Sequence, residues 1–329
     1  MKKILVTGSE GFIGSHLVEQ LLKNKNNQVT AMVYYNSFNS VWWLKDIKHK
    51  YKNNLKIIFG DICDQKFCID SSKNKDVIYH LAALISIPYS YNAPQSFINT
   101  NIIGTFNICY SAKVNNVKKL IFLSTSEVYG TAKYVPIDEK HPLQPQSPYS
   151  ASKIGAEAMA LSFFKSFNLP LIIVRPFNTF GPRQSLRAII PTIILQSLNK
   201  KKFIKIGNLK PTRDLNYVKD TCLALIKIEN AKIPFGEIIN VGSGNEISVG
   251  DLVNKVQKIL KTKKKIIQKK ERFRPKKSEV FRLISNNKKL YFFTKYKSKT
   301  TFKDALTETI NWYIKNKDRY LENAEKYNI

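Results

Sequence analysis

The chain has 329 residues, 43% of them hydrophobic and 24% charged, which is enough for a full core and longer than one core usually holds, so two lobes are expected. Its 54 Lys and Arg against 24 Asp and Glu give a formal net charge of +30, which admits nucleic acid, an anionic membrane or an acidic ligand as partner. The lysines are scattered, densest over residues 261–277, with no aromatic-interleaved basic strand and no nucleic-acid motif; solvated surface is the plainer source, and no specific nucleic-acid partner is expected.

Lys3-Ile4-Leu5-Val6 reads as a buried strand, and Gly8, Gly11 and Gly14 follow at GxxGxxG spacing before an apolar-periodic helix carrying Phe12, Ile13, Leu17, Leu21 and Leu22. Strand, glycine turn and helix in that order fit a dinucleotide-binding turn. Glycines let backbone approach a pyrophosphate, and a helix N-terminus favours its charge. Three glycines can also make only a tight turn, but their place directly between a strand and a helix favours the phosphate. The second strand, Gln28 to Val33, ends in Tyr34-Tyr35-Asn36-Ser37, and the acidic residue expected about 20 positions after the glycines is missing. No Arg or Lys stands between Val29 and Leu44 to meet a 2′-phosphate, so NAD is ahead and NADP is not excluded.

Further apolar runs, Lys56 to Phe59, Val77 to His80, Leu120 to Leu123 and Leu171 to Val174, alternate with helical stretches. That is the pattern of a parallel sheet covered by helices. The expected fold class is α/β, a Rossmann-like doubly wound parallel sheet with a smaller C-terminal substrate-binding lobe. Residues 1–177 form the nucleotide-binding domain and 178–329 the second lobe, with 216–242 expected to pack back on the first. Cys63, Cys68, Cys109 and Cys222 show no CxxC pairing, and the histidines no metal spacing, so no metal is expected. No apolar stretch reaches membrane-spanning length and no signal-peptide core precedes Gly8, so a cytoplasmic protein without a membrane partner is expected.

Ser124-Thr125-Ser126-Glu127-Val128-Tyr129-Gly130, followed by Tyr149-Ser150-Ala151-Ser152-Lys153, supplies parts for two proton transfers. If Tyr149 opens a helix, Lys153 sits one turn later on the same face, where its ammonium lowers the phenol's pKa and makes it a base for alcohol oxidation. Glu127 adds a carboxylate that alcohol oxidation does not need. A second chemical step is implied, unless Glu127 is only a surface carboxylate after a strand.

These motifs resemble those of the extended short-chain dehydrogenases/reductases, specifically the NAD-dependent nucleotide-sugar epimerase/dehydratase family, nearly end to end. The likeness also takes in Gly60-Asp61-Ile62, His80-Leu81-Ala82-Ala83, Asn99-Thr100-Asn101 with Gly104, and the runs 175–182 and 212–220. Within the family, the runs 83–91, 34–40 and 146–153 look most like the N-acetylhexosamine 4,6-dehydratases of legionaminic acid biosynthesis. The resemblance implies that Gly8, Gly11, Phe12, Ile13, Gly14, Asp61, Ile62, Leu81, Ala82 and Ala83 hold NAD together with Tyr149 and Lys153. It implies further that Tyr149 takes the proton of a sugar C4 hydroxyl, to which Thr125 hydrogen-bonds. Glu127 would remove the C5 proton that the new 4-keto group acidifies. Loss of water from C6 and return of hydride there complete a redox-neutral cycle.

Ser126 stands where many hexose 4,6-dehydratases have an Asp acid. GDP-mannose dehydratases and UDP-glucuronate decarboxylases also resemble Thr-Ser-Glu here, so the triplet leaves dehydration and decarboxylation open and weighs against simple 4-epimerases. Ser126, Asn178, Arg213 and Arg274 are the implied substrate-binding residues, the two arginines forming a clamp on the diphosphate. Arg274 lies in a basic run and could instead be solvated charge. Arg175 reads as a structural ion-pair partner, and the 88–91 segment either faces the sugar or packs. The implied protein is a homodimeric 4,6-dehydratase of UDP- or GDP-N-acetylglucosamine in bacterial surface-sugar biosynthesis. The alternative is a UDP-glucuronate decarboxylase or a sugar-nucleotide epimerase; more distant is an RNA-binding or scaffold protein derived from the family.

Overall fold

The computed structural model describes residues 1–320, and the 321–329 end of the expected second lobe lies outside them. Six strands, β1 (Lys2–Thr7), β2 (Asn27–Tyr34), β3 (Leu55–Gly60), β4 (Val77–His80), β5 (Lys119–Leu123) and β6 (Leu171–Pro176), share one sheet with the later strand Ile238–Val241. The order is β3-β2-β1-β4-β5-β6, then Ile238–Val241, and every neighbouring pair is parallel. This is the Rossmann-like sheet that the alternating apolar runs and helical stretches predict.

Side-chain alternation decides which helix covers which face. Ile4, Val6, Val29, Ala31, Tyr79 and Ile121 pack with Leu17, Val18 and Leu21 of the helix Phe12–Leu21 and with Leu225 and Ile228 of Val218–Asn230. Leu5, Ile78, Leu120, Phe122 and Ile173 pack on the other side with Ile108 and Ala112 of Gly104–Val114 and with Ala156, Ala160 and Phe163 of Pro148–Phe167. Each buried Leu, Ile or Val contributes roughly 1.5–3 kcal/mol, so a slip of one residue in any strand is prohibitive.

The chain runs outward from β1 to β3, then returns to β4 on the other side of β1. The strand order therefore reverses between β1 and β4, which opens a crevice beyond their C-terminal ends. In a smaller sheet Thr212–Tyr217 pairs with Asn178–Phe180, Glu246–Ser248 and Arg282–Leu283, and Asn178 and Thr179 border the cleft at that crevice. Between Thr212–Tyr217 and Glu246–Ser248 the chain goes back to the first body: Val218–Asn230 lies against Phe12–Leu21, and Ile239 pairs with Val174 at the edge of the large sheet. Among the described residues no helix is long and apolar enough to cross a membrane.

Candidate functional site

Gly8 has φ +62, and a Cβ there would lie 2.8 Å from the Ala82 backbone; a Cβ on Gly14 would lie 2.0 Å from the Gly8 carbonyl oxygen. The turn closes only with glycine. Thr7 Oγ1 accepts the N–H groups of Leu81 and Ala82 at 3.1 Å each and bonds His80 Nδ1 at 2.9 Å, which fastens the ends of β1 and β4 together. His80 is fully buried, and burial followed by the Lys153 charge lowers its pKa to about 3, so it is a neutral strut. The helix Phe12–Leu21 starts at Gly11 with no side-chain cap, which leaves its first N–H groups for an anion.

These elements border a cleft of about 1110 Å³. It gathers Gly8, Gly11, Phe12, Ile13 and Gly14 from the turn, Asp61 and Ile62 from the end of β3, and Leu81, Ala82 and Ala83 from the end of β4. Ile62 is pressed against Gly104, where a Cβ would come within 2.4 Å of its Cδ1. A glycine cradle, an uncapped helix end and an apolar β4 rim fit a dinucleotide.

Tyr149 and Lys153 stand on the next wall. Their helix, Pro148–Phe167, starts sharply because Ser147 accepts the Ser150 N–H while Ser150 Oγ accepts the Ser147 N–H, with Pro148 at the first position. Asn101 holds the helix against the β4 loop: its Nδ2 donates to Ser152 Oγ at 2.8 Å and Leu84 O at 3.0 Å, and its Oδ1 accepts the Leu84 N–H. Tyr149 and Lys153 are both buried, and Tyr149 packs edge-on against Phe97.

The bonded partner of Lys153 is a backbone carbonyl, not the Tyr149 hydroxyl. Lys153 Nζ donates to Leu123 O at 2.8 Å and lies 4.5 Å above the Phe122 ring. Burial, opposed in part by Glu157, lowers its pKa to about 8. Burial raises the Tyr149 pKa above the usual phenol value; the Thr125 hydroxyl lowers it and the Glu127 charge raises it. Desolvation wins, and Lys153 does not activate the phenol through a direct contact.

Glu127 lies on the four-residue turn Ser126–Tyr129, which Thr125 caps by accepting the Glu127 N–H at 3.2 Å. The turn is held from below. Tyr129 OH donates to Asn240 Oδ1 at 2.7 Å and accepts from Arg175 Nη1 at 2.9 Å, while Arg175 Nε bonds Glu157 Oε1 at 2.9 Å. Arg175 is thus a buried structural ion-pair partner, as its sequence context predicts. Thr125, Ser126 and Glu127 are all buried yet all border the cleft.

Two of the three residues expected at the substrate's far end also reach the cleft, Asn178 and Arg274. Asn178 Oδ1 is buried without a hydrogen-bond partner among the described residues. Arg274 Nη1 stands 3.6 Å from Glu127 Oε2. Arg213 is not among the residues bordering the cleft: its Nη1 donates to Thr212 O at 2.9 Å and its Nη2 lies 3.6 Å from Glu279 Oε1, within electrostatic reach of Glu127 and Arg274. Residues 87–92 form a short helix in which Pro88 and Tyr89 face the cleft, while Tyr91 packs and bonds Ser278 Oγ. The sequence reading passed over Glu10, Gln184 and Arg187, which also line the cleft. No group of three or more His, Cys, Asp or Glu is placed to hold a metal among the described residues.

Comparison with known proteins agrees with this geometry. The family model described as GDP-mannose 4,6 dehydratase matches residues 5–309. A dTDP-D-glucose 4,6-dehydratase of Dictyostelium discoideum is 36% identical over 273 residues, covering 78% of this chain and 62% of the relative, so the chain spans less than two thirds of that protein's length. Among solved structures, the dTDP-glucose 4,6-dehydratase DesIV of Streptomyces venezuelae with NAD bound superposes with a TM-score of 0.87 at 26% identity, covering 97% of this chain and 98% of its own. A UDP-N-acetylglucosamine 4-epimerase of Methanobrevibacter ruminantium, in complex with UDP-N-acetylmuramic acid, gives 0.85 at 31% identity, with 96% and 99% covered.

Proposed function

The chain belongs to the GDP-mannose 4,6 dehydratase family of nucleotide-sugar dehydratases and epimerases, and we propose that it is a 4,6-dehydratase of a nucleotide-diphosphate N-acetylglucosamine. The observation that carries dehydration over epimerisation is Glu127: a buried carboxylate on the cleft wall, close enough for its charge to act on Tyr149.

The glycine turn, the β3 end and the β4 rim would hold NAD, together with Lys153 and Tyr149 on the next wall of the same cleft. NAD held there would supply the hydride acceptor for the sugar C4 and the donor for C6, so no net oxidant would be consumed. Tyr149 takes the C4 hydroxyl proton, and the burial that raises its pKa makes it a strong base once ionised. Thr125 orients the same hydroxyl. The 4-keto group acidifies C5–H, and Glu127 removes that proton as water leaves from C6. With Ser126 unable to serve as the acid, Glu127 also delivers the proton to the departing oxygen, and a proton from solvent, relayed by Glu127, is added at C5 as hydride is added at C6. Asn178 and Arg274 orient the nucleotide diphosphate, and Arg213, within electrostatic reach of Arg274, adds positive charge to the same clamp.

The N-acetyl sugar and a role in bacterial surface-sugar biosynthesis rest on the likeness of residues 34–40, 83–91 and 146–153 to the legionaminic acid dehydratases. The same reading makes the chain a homodimer, with residues 1–177 as its nucleotide-binding domain. Incubation with a panel of UDP-, GDP- and dTDP-sugars followed by mass spectrometry tests it: loss of water supports dehydration. Loss of carbon dioxide shows the decarboxylase, and inversion at C4 without mass change shows the epimerase.

A further inference from the structure

The end of β2 presents Tyr34-Tyr35-Asn36-Ser37 where a carboxylate for an adenosine ribose would be expected. A carboxylate nonetheless reaches that strand end from another element. Glu10, inside the glycine turn between Gly8 and Gly11, accepts the Tyr34 N–H on Oε1 at 2.8 Å. Its other oxygen, Oε2, is buried and has no hydrogen-bond partner among the described residues. Glu10, Met32 and Tyr34 all border the same cleft as the glycines.

We propose that Glu10 is the residue that receives the adenosine ribose hydroxyls of NAD and thereby makes this chain prefer NAD to NADP. This rests on the dinucleotide reading of the cleft and adds a specificity determinant to it. An unpaired carboxylate oxygen removed from water is costly to keep, and a ribose diol brings the donors it lacks. Burial raises the Glu10 pKa, with the Tyr34 and Glu10 backbone N–H groups opposing, so the carboxyl is under-solvated as it stands. A 2′-phosphate in the same place would set a dianion against the carboxylate. No Arg or Lys between Val29 and Leu44 is available to offset that repulsion.

Glu10→Gln keeps the length and an acceptor for the Tyr34 N–H but removes the charge, so it separates ribose recognition from mere capping of β2. Titration of the full-length wild type and of E10Q with NAD, NADP and 2′-deoxy-NAD, followed by calorimetry, reads the effect directly, and thermal melting without ligand verifies folding. The expected result is a loss of about tenfold in NAD affinity with NADP affinity unchanged or improved, and loss of discrimination against 2′-deoxy-NAD. An unchanged NAD-to-NADP ratio in a folded E10Q overturns the role of Glu10 and leaves the dinucleotide reading intact. Failure of the wild type to bind either dinucleotide overturns that reading, and this role with it.

Discussion

Tyr149 and Lys153 sit in the opening turns of a 20-residue helix fixed by a reciprocal Ser147/Ser150 cap and by Asn101, whereas Glu127 sits on a four-residue turn facing an arginine from a distant loop. At the first edge a lysine is buried with a carbonyl, not a carboxylate, as its bonded partner. At the second a carboxylate has a guanidinium across from it. The fold therefore fixes the geometry of the Tyr149/Lys153 edge, proposed above as the redox edge, and accepts its electrostatic cost, while the Glu127 edge, proposed above as the elimination edge, is charge-balanced and completed by residues from the C-terminal part of the chain.

The largest effect expected is at the rigid edge. Tyr149→Phe removes one hydroxyl and keeps the ring packed against Phe97. A general base is worth about 10²–10⁴ in rate, so turnover should fall by roughly 10³ while NAD binding and melting temperature stay near wild type. Turnover within tenfold of wild type would remove Tyr149 from the chemistry. Next is Glu127→Gln, which should cut product formation by about 10² or more yet leave C4 oxidation possible. Mixing with the true substrate should then build up the absorbance of reduced nicotinamide, with no 4-keto-6-deoxy product and no solvent deuterium at C5. Product at the normal rate would make the charge-balanced edge a bystander.

Lys153 offers a test of the cost of the rigid edge. Its folded pKa is about 8 against an ordinary 10.5. Below pH 8 it is protonated in both states, and its burial penalises the folded form by about 3 kcal/mol. Between those two values the folded protein sheds the proton first and the penalty fades; above the higher value it is gone. Wild-type stability should thus rise with pH across that window relative to Lys153→Met, which should be the more stable protein at pH 7 and the weaker binder of NAD. Parallel stability curves for the two proteins, measured by denaturant titration, would show that the buried ammonium costs nothing.

The redox edge was legible because its parts are local: GxxGxxG between a strand and a helix, and Tyr149 with Lys153 one turn apart. Even so, what spacing fixes is the shared face, not the bonded partner. The ammonium turned to Leu123 O because that carbonyl ends β5 directly beneath it. Glu10 was passed over because its relevance depends on Tyr34, a contact across 24 residues that only the β1–β2 pairing creates. Arg213 is implied on the diphosphate by the resemblance alone, and its neighbour Glu279 is brought beside it by tertiary packing that the sequence does not display. Motifs carry what the backbone determines locally; which charge meets which is settled by tertiary packing.

The smallest expected effect separates two uses of Arg274. At 3.6 Å from Glu127 Oε2 the guanidinium is paired but beyond the 2.7–3.2 Å range of an N–H···O bond, and the side chain is 26% exposed. At that distance, with the guanidinium partly in solvent, the pair is worth on the order of 1 kcal/mol. A diphosphate offers more negative charge and a bidentate geometry suited to the same fork, so substrate should draw Arg274 away from Glu127 and free that carboxylate for C5. Arg274→Gln should then raise KM for the nucleotide sugar by about tenfold, a loss of about 1.4 kcal/mol, with kcat within about twofold of wild type. If Arg274 serves instead to orient Glu127, KM should stay put and kcat should carry the loss. Steady-state kinetics on the same variant read both numbers, and the second pattern would mean that the elimination edge is held as firmly as the redox edge.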